Sequence, residues 1–305
     1  MGQLINTSAK VAIIVLNWNG WQDTLECAAS LLKIDHPDYH IIIVDNGSSD
    51  DSVEKIKDWI KDKPAVTLLE TGKNIGFAGG NNVGIRFALS KGFDYFWILN
   101  NDTVVEPDAL HYMVEEMRVR PDAGICGSTI LYYHDRHRIW AMGAAYNKWF
   151  AEGRHLEVNK TYDKGRIDKY QKLERKLDYI VGASMLVSRA FLQAVGLMCE
   201  DYFLFFEEMD WAMRARGRYR MALAPKAVVY HKVGSSITKS EGGKQRRFNL
   251  MADYYATRNR LAFTRKYFPY ALPTLYLSIL GYIIDRIRVG AWENVALIAR
   301  IAVGK

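Results

Sequence analysis

Cysteine is scarce in this chain. The 305 residues hold three, Cys27, Cys126 and Cys199, far apart and without a Cys-x-x-Cys pair. An odd, dispersed set argues against a disulfide framework and a structural zinc site, and suits a reducing compartment. The first ten residues are short and polar, so no secretory signal is expected. Long apolar runs are missing too. The longest, residues 270–284, includes Pro273, Thr274, Ser278 and Gly281 and falls short of the ~20 residues a spanning helix needs. Internal repeats and low-complexity tracts are absent. What remains is ordinary globular composition, 49% hydrophobic and 25% charged, which excludes disorder over the whole chain. The net charge of +7 suits an acidic partner: a nucleotide substrate, a nucleic acid or an anionic membrane surface. Solubility alone would also account for it.

The first hundred residues alternate regularly. Residues 11–16, 41–44, 66–69 and 95–99 are short apolar runs of the kind found in strands buried on both faces. Residues 21–32, 53–60 and 82–90 carry helical spacing between them. Strand and helix in alternation predict a mostly parallel sheet with right-handed crossovers. Ligands bind such sheets at the strand carboxyl ends. The polar clusters Asn17-Trp18-Asn19, Asp45-Asn46 and Asn100-Asn101-Asp102 all fall there. Residues 150–178 read as a loop or inserted helix, 180–187 and 227–230 as strands, and 235–247 as a mobile loop. From Phe248 the pattern is helical and basic.

Four constellations could carry chemistry. Asn100-Asn101-Asp102 could hold a hard cation against a diphosphate, because Mg²⁺ and Mn²⁺ prefer oxygen ligands; it could equally be a turn before a helix near Pro107. Residues 74–84 are rich in glycine and could approach a phosphate closely, or form a structural turn. They are neither a Walker A loop nor a dinucleotide fingerprint. Glu207, Glu208 and Asp210 place three carboxylates within four residues, where one could act as general base. Asp210 and Arg214 are spaced for a helix salt bridge. The preceding aromatics, Tyr202 to Phe206, suit a sugar cleft or a core strand. His231 follows a strand and precedes Gly234-Ser235-Ser236.

In this order, the segments resemble the family 2 glycosyltransferases of GT-A fold, particularly rhamnosyltransferase-like members that build bacterial cell-surface glycans. The likeness runs from about Val11 to Arg260. It rests on Leu16-Asn17-Trp18-Asn19, the Val44 to Asp50 segment, the 74–84 loop, Leu99-Asn100-Asn101-Asp102, Phe206-Glu207-Glu208-Met209-Asp210, Tyr230-His231 and Tyr254-Tyr255-Ala256-Thr257-Arg258-Asn259. Each motif is weak alone; their order is specific.

The resemblance implies a catalytic domain over residues 1–247, with a nucleotide-binding half to about 103 and an acceptor-binding half from 104. A helical region, 248–305, follows. It implies Asp45 and Asn17 at the nucleoside base, and Asn74, Gly79, Gly80, Asn81 and Asn101 at the nucleotide or donor sugar. Asn100 and Asp102 match the ends of a metal motif usually written Asp-x-Asp, so Asn100 is a departure, and His231 matches a further ligand of Mg²⁺ or Mn²⁺. Glu208 matches the base of a Glu-Asp pair, one methylene longer than usual, with Glu207 as alternative. Asp210 would orient base or acceptor, with Trp211 and Arg214 on the acceptor side. The implied reaction is an inverting single displacement from a dTDP- or UDP-sugar, L-rhamnose first, to a glycan or polyprenyl-linked saccharide, with no nucleic acid involved.

Two rivals differ in class. A nucleotidyltransferase would need a glycine-rich segment after the first strand, where only Gly20 stands in Asn17-Trp18-Asn19-Gly20. A non-catalytic carbohydrate-binding protein would not need Asp102, Glu208 and His231 to converge. In the tail, Arg258, Arg260, Arg265 and Lys266 precede the apolar stretch, and Arg286 and Arg288 follow it. Basic flanks suit peripheral docking on the inner face of the cell membrane, or a helix packed on protein.

Overall fold

The computed structural model describes residues 9–233 and 249–304. The expectation for residues 235–247, and the Gly234-Ser235-Ser236 stretch, lie outside them. The nucleotide half follows the sequence pattern closely. β1 (Val11–Asn17), β2 (Tyr39–Asp45), β3 (Val66–Glu70) and β4 (Tyr95–Asn100) alternate with α1 (Trp21–Leu31), α2 (Ser52–Ile60) and α3 (Gly76–Ser90). β1 pairs in parallel with β2 on one side and β4 on the other, and β2 with β3. Val11 to Val15 are fully buried because helices cover both faces. Burial of each such valine or isoleucine contributes about 1.5–3 kcal/mol.

The second half completes a mixed sheet. β5 (Thr103–Val105), α4 (Ala109–Val119), β6 (Ala123–Tyr132), β7 (Ile139–Ala141), β8 (Ala144–Asn147) and β9 (Glu152–His155) come first. α5 (Ile167–Gln171), β10 (Ser184–Ser188), α6 (Arg189–Val195), α7 (Glu207–Ala215) and β11 (Arg220–His231) follow. The strand order is β3-β2-β1-β4-β10-β6-β11-β5, with β7 on β6 and a separate β8-β9 pair. β10 runs antiparallel between β4 and β6, while β6 and β11 are parallel. The chain runs outward from β1 through β2 to β3 and returns to β4 on the other side of β1, so the order reverses between β1 and β4 and their carboxyl ends flank the crevice where such sheets bind ligands.

Helix α3 begins six residues before the sequence pattern suggested. Its glycines form a packing stripe, not a loop. A Cβ on Gly80 would come within 2.3 Å of a Leu16 methyl, and one on Gly84 within 2.7 Å of Ile14. Glycine therefore lets the helix lie directly on β1, and this close packing outweighs glycine's poor helix propensity.

The tail forms α8 (Leu250–Tyr267), α9 (Leu272–Arg288) and α10 (Trp292–Ala302). Much of its basic flank turns toward protein. Arg260 is buried and donates to the Phe150 carbonyl at 2.6 Å. Arg286 is buried against Asp253, Lys266 binds Asp210, and Arg258 donates to the Asp201 carbonyl.

Candidate active site

At the ends of β1 and β2, polar side chains hold one another. Asn17 Nδ2 donates to Asp45 Oδ2 at 2.7 Å and to Ser48 Oγ at 3.1 Å. The Ser48 amide and hydroxyl donate to the two Asp45 oxygens at 3.0 and 2.6 Å. Thr24 donates to Asn17 Oδ1, and Asn101 donates to Thr24. Asn17, Asp45 and Asn101 are all buried. They form the underside of the crevice and fix the turn at 46–50. Asn46 joins this floor to α3: its amide donates to Asn74 Oδ1 at 3.0 Å and the Gly76 carbonyl at 3.1 Å. Asn74 is half-buried, whereas Gly79, Gly80 and Asn81 are buried within α3. Asn81 donates to the Phe77 carbonyl of the same helix. Of the three, Gly80 brings the helix to the sheet, and Gly79 lies against Ile75; the stretch is helix from Gly76 on and not a loop.

Just past the end of β4, Asp102 meets β11. Asp102 Oδ1 lies 3.1 Å from His231 Nε2, and both side chains are buried. The Trp140 ring packs edge-on against His231 at 4.5 Å. Among the described residues His231 Nδ1 has no hydrogen-bond partner. Lys232, the next residue, donates to Asp23 and Glu26 of α1 at 2.6 Å each and pins the end of β11. Asn100 is half-buried at the strand end, its peptide held by Ala183 and Thr103. One carboxylate and one imidazole on a single point fit a hard divalent cation that takes its remaining ligands from diphosphate and water. No cluster of three or more His, Cys, Asp or Glu occurs among the described residues, so Asp102 and His231 would be the principal protein ligands.

Glu207 and Glu208 open α7. Glu207 is buried and Glu208 half-buried, and among the described residues the Oε2 of each lacks a partner. Burial, reinforced by the Glu208 charge, pushes the Glu207 carboxyl well above the usual carboxylate range. Burial also raises Glu208, which hydrogen bonds partly offset. The pair is therefore suited to hold a proton between its members. Glu208 Oε1 lies beside Gly182, where an added Cβ would be 3.9 Å away. Ala183 accepts from the Asn100 amide at 3.1 Å, so Gly182 brings the carboxylates alongside the end of β4. The lead-in to α7 is strained: Phe203, Phe205 and Phe206 have φ of 62°, 66° and 76°. Bulky residues in the left-handed region cost about 1–3 kcal/mol each and persist only where their surroundings impose them.

Asp210, Trp211 and Arg214 do not join the carboxylates. Asp210 is fully buried and receives Arg214, Lys266 and Tyr267 at 2.7, 2.8 and 2.7 Å. Burial opposes its ionisation, but these donors hold the carboxyl below its usual range. Trp211 is fully buried and donates to the Gly196 carbonyl. Arg214 also binds the carbonyls of Val195 and Leu197. At about 100° per helical residue, Asp210 and Arg214 stand roughly 200° and 240° round from Glu208, while Trp211, about 60° away, is taken into the core; all three anchor α7. A cavity of about 940 Å³ opens along the Met209, Ala212 and Met213 side of α7, with Tyr146, Tyr179 and Phe263. It is separate from the Asp102–His231 point.

Gly182, Trp140 and Ser48 are site residues that sequence reasoning did not single out. Ser48 stood within a quoted motif. Gly182 and Trp140 lie in apolar segments that carry no chemical signal.

A mixed sheet with its crevice beside β1 and β4, an Asp102–His231 contact past the end of β4 and a buried carboxylate pair at the start of α7 suit a glycosyltransferase of GT-A fold. The chain belongs to glycosyl transferase family 2, whose model matches residues 12–196, more than half of its length. It is similar to the poly-beta-1,6-N-acetyl-D-glucosamine synthase of Staphylococcus epidermidis, 27% identical over 216 residues, covering 71% of this chain and 47% of the synthase. The chain thus spans about half the length of that relative. It is also similar to dTDP-rhamnosyl transferase RfbF of Shigella flexneri, 21% identical over 264 residues, 85% of this chain and 81% of RfbF. A mannosyltransferase of Pyrobaculum calidifontis, solved with GDP-Man and Mn2+, shares the fold with a TM-score of 0.57 at 15% identity, covering 97% of this chain and 86% of the other.

Proposed function

We propose that the chain transfers a sugar from a nucleoside diphosphate to a hydroxyl of a glycan or polyprenyl-linked acceptor, with inversion and with a divalent metal. The observation that carries this reading is the Asp102–His231 contact at 3.1 Å; Glu208 lies beside Gly182, the residue before the Ala183 that holds the Asn100 amide. A metal bound there would neutralise charge on the departing diphosphate. Asp102 and His231 hold that position, and the Asn17–Asp45–Ser48 network shapes the nucleoside end. Glu208 accepts the acceptor hydroxyl proton as its oxygen forms a bond to the anomeric carbon. The bond from that carbon to the diphosphate oxygen breaks on the opposite face, and the diphosphate leaves with the electron pair. One base and no covalent sugar intermediate suffice.

L-rhamnose from a dTDP donor is the first choice, supported by the likeness to RfbF. N-acetylglucosamine from a UDP donor is the second, supported by the synthase likeness. Release of nucleoside diphosphate from a panel of dTDP- and UDP-sugars, with glycan and polyprenyl-linked acceptors and with Mn²⁺ or EDTA, tests both. Turnover abolished by EDTA and by Glu208→Gln supports the reading; binding without turnover across the panel overturns it.

Peripheral attachment at the inner membrane face belongs to the same proposal. No helix of the described residues is long and apolar enough to cross a membrane. α9 instead exposes Leu277, Leu280, Ile284 and Ile287 at helical spacing, with Leu277 at 66% exposure. Exposed Trp149 and Tyr270 sit near its start with Lys148 over both rings. Amphipathic aromatics and a cation beside an aliphatic stripe suit a lipid interface.

A further inference from the structure

We propose that Asn259 of α8 is a positioning residue for the carboxylate pair, clamping the left-handed phenylalanine turn that sets Glu207 and Glu208 in place. This rests on the reading of Glu208 as base. The Asn259 side chain is fully buried. Its Nδ2 lies 2.8 Å from the Tyr202 carbonyl, 2.8 Å from that of Leu204 and 3.0 Å from that of Phe205. Two N–H groups thus serve three carbonyls, with one bond shared. The other end of the amide is fixed as well: Arg258 Nη1 donates to Asn259 Oδ1 at 2.9 Å, and to the Asp201 carbonyl at 2.8 Å. One turn earlier, the Tyr255 ring stacks on Phe203 with centroids 4.6 Å apart and planes at 11°.

These contacts account for a backbone that nothing in residues 203–206 favours. Phenylalanine has no intrinsic preference for positive φ. The left-handed turn brings successive carbonyl oxygens together on one side, where they repel unless a donor sits among them. Asn259 supplies that donor from another element. The turn also meets the donor-side helix, since the Phe203 carbonyl accepts from the Phe77 amide at 2.6 Å. Phe206 is the last residue before α7, so the orientation of the turn becomes the orientation of Glu207 and Glu208. A displacement of about 1 Å in a reacting group can cost roughly 10²-fold in rate. The nucleoside floor is built from β1, β2, α1 and the turn at 46–50, without α8, and meets the clamped turn at the start of α3, so nucleotide affinity should change far less than turnover.

The test is Asn259→Ala in the full chain, with kcat, donor KM, nucleoside diphosphate affinity by calorimetry and thermal midpoint measured together. The expected result is a kcat lower by about 10–100-fold, with donor KM and nucleotide affinity within about twofold of the parent. A kcat that is unchanged, or that falls only in step with nucleotide affinity, overturns the proposal. Should Asn259→Ala fail to fold, Tyr255→Leu decides: it removes the ring stack and leaves the amide, and it must show a smaller loss confined to kcat. Glu208→Gln runs in parallel. Activity kept in Glu208→Gln but lost in Asn259→Ala discards the base assignment and retains the clamp. The reverse pattern discards the clamp.

Discussion

Asp102 and His231 come from strands far apart in sequence, yet the carboxylate oxygen of one lies 3.1 Å from the imidazole Nε2 of the other. Their contact joins the segment after β4 to the end of β11. His231→Ala is expected to weaken apparent Mn²⁺ affinity by about 10–100-fold, while Asp102→Asn lowers kcat/KM by on the order of 10²–10³-fold. Asn100→Asp, restoring the usual carboxylate, should move Mn²⁺ activation to lower concentration. Metal titrations of nucleoside diphosphate release check all three.

Glu208→Gln should lower kcat by about 10²–10⁴-fold, as expected for loss of a general base. Burial raises both glutamates, and the base works deprotonated. The acidic limb of kcat/KM should therefore fall above the ordinary carboxylate value of 4.5. A limb at or below that value in a pH–rate profile would remove Glu208 from the role.

The same burial makes a stability prediction of opposite sense. Glu207 binds its proton more tightly folded than unfolded, so the folded state holds more protons. Its contribution is present below 4.5, the unfolded value, and is lost as pH rises toward the higher folded value. Glu207→Gln removes this penalty. Its thermal midpoint should exceed that of the parent at neutral pH and match it more closely in acid, as calorimetric scans at several pH values would show.

Gly80→Val should destabilise the fold by about 1–3 kcal/mol in chemical denaturation, because the space beside Leu16 and Asn46 is already filled. A neutral result would mean that α3 can lift from β1.

Leu277→Glu and Leu280→Glu change side chains that are 66% and 52% exposed. They should leave the unfolding free energy within about 0.5 kcal/mol of the parent and lower flotation with anionic vesicles. Unchanged flotation would assign the stripe elsewhere.

The strand ends were legible because apolar runs stop abruptly at Asn17, Asp45 and Asn100, and a parallel sheet leaves such ends at one edge. The start of α3 was hidden because glycine usually signals a loop; here Gly80 and Gly84 answer to Leu16 and Ile14 across space. Asp210, Trp211 and Arg214 seemed to belong with Glu208 through nearness in sequence, but their partners are Lys266, Tyr267 and the carbonyls of Val195, Gly196 and Leu197. Of the tail cations read as a membrane flank, Arg258, Arg260, Lys266 and Arg286 find partners in Asp210, Asp253 and backbone carbonyls, information that exists only in the folded chain. Strand β6 went unread because Gly124 and Gly127 interrupt its apolar pattern; each meets a neighbouring side chain, Phe191 and Ile180, at close range.

The contacts from α8 to the phenylalanine turn also bear on recombination between related chains. A crossover near residue 248 would exchange a helix without the turn it grips, or a turn without its helix. Functional chimeras should instead tolerate exchange only when 199–206 and 250–267 come from the same parent. Over evolutionary time the two stretches should change together, although more than forty positions separate them in the sequence.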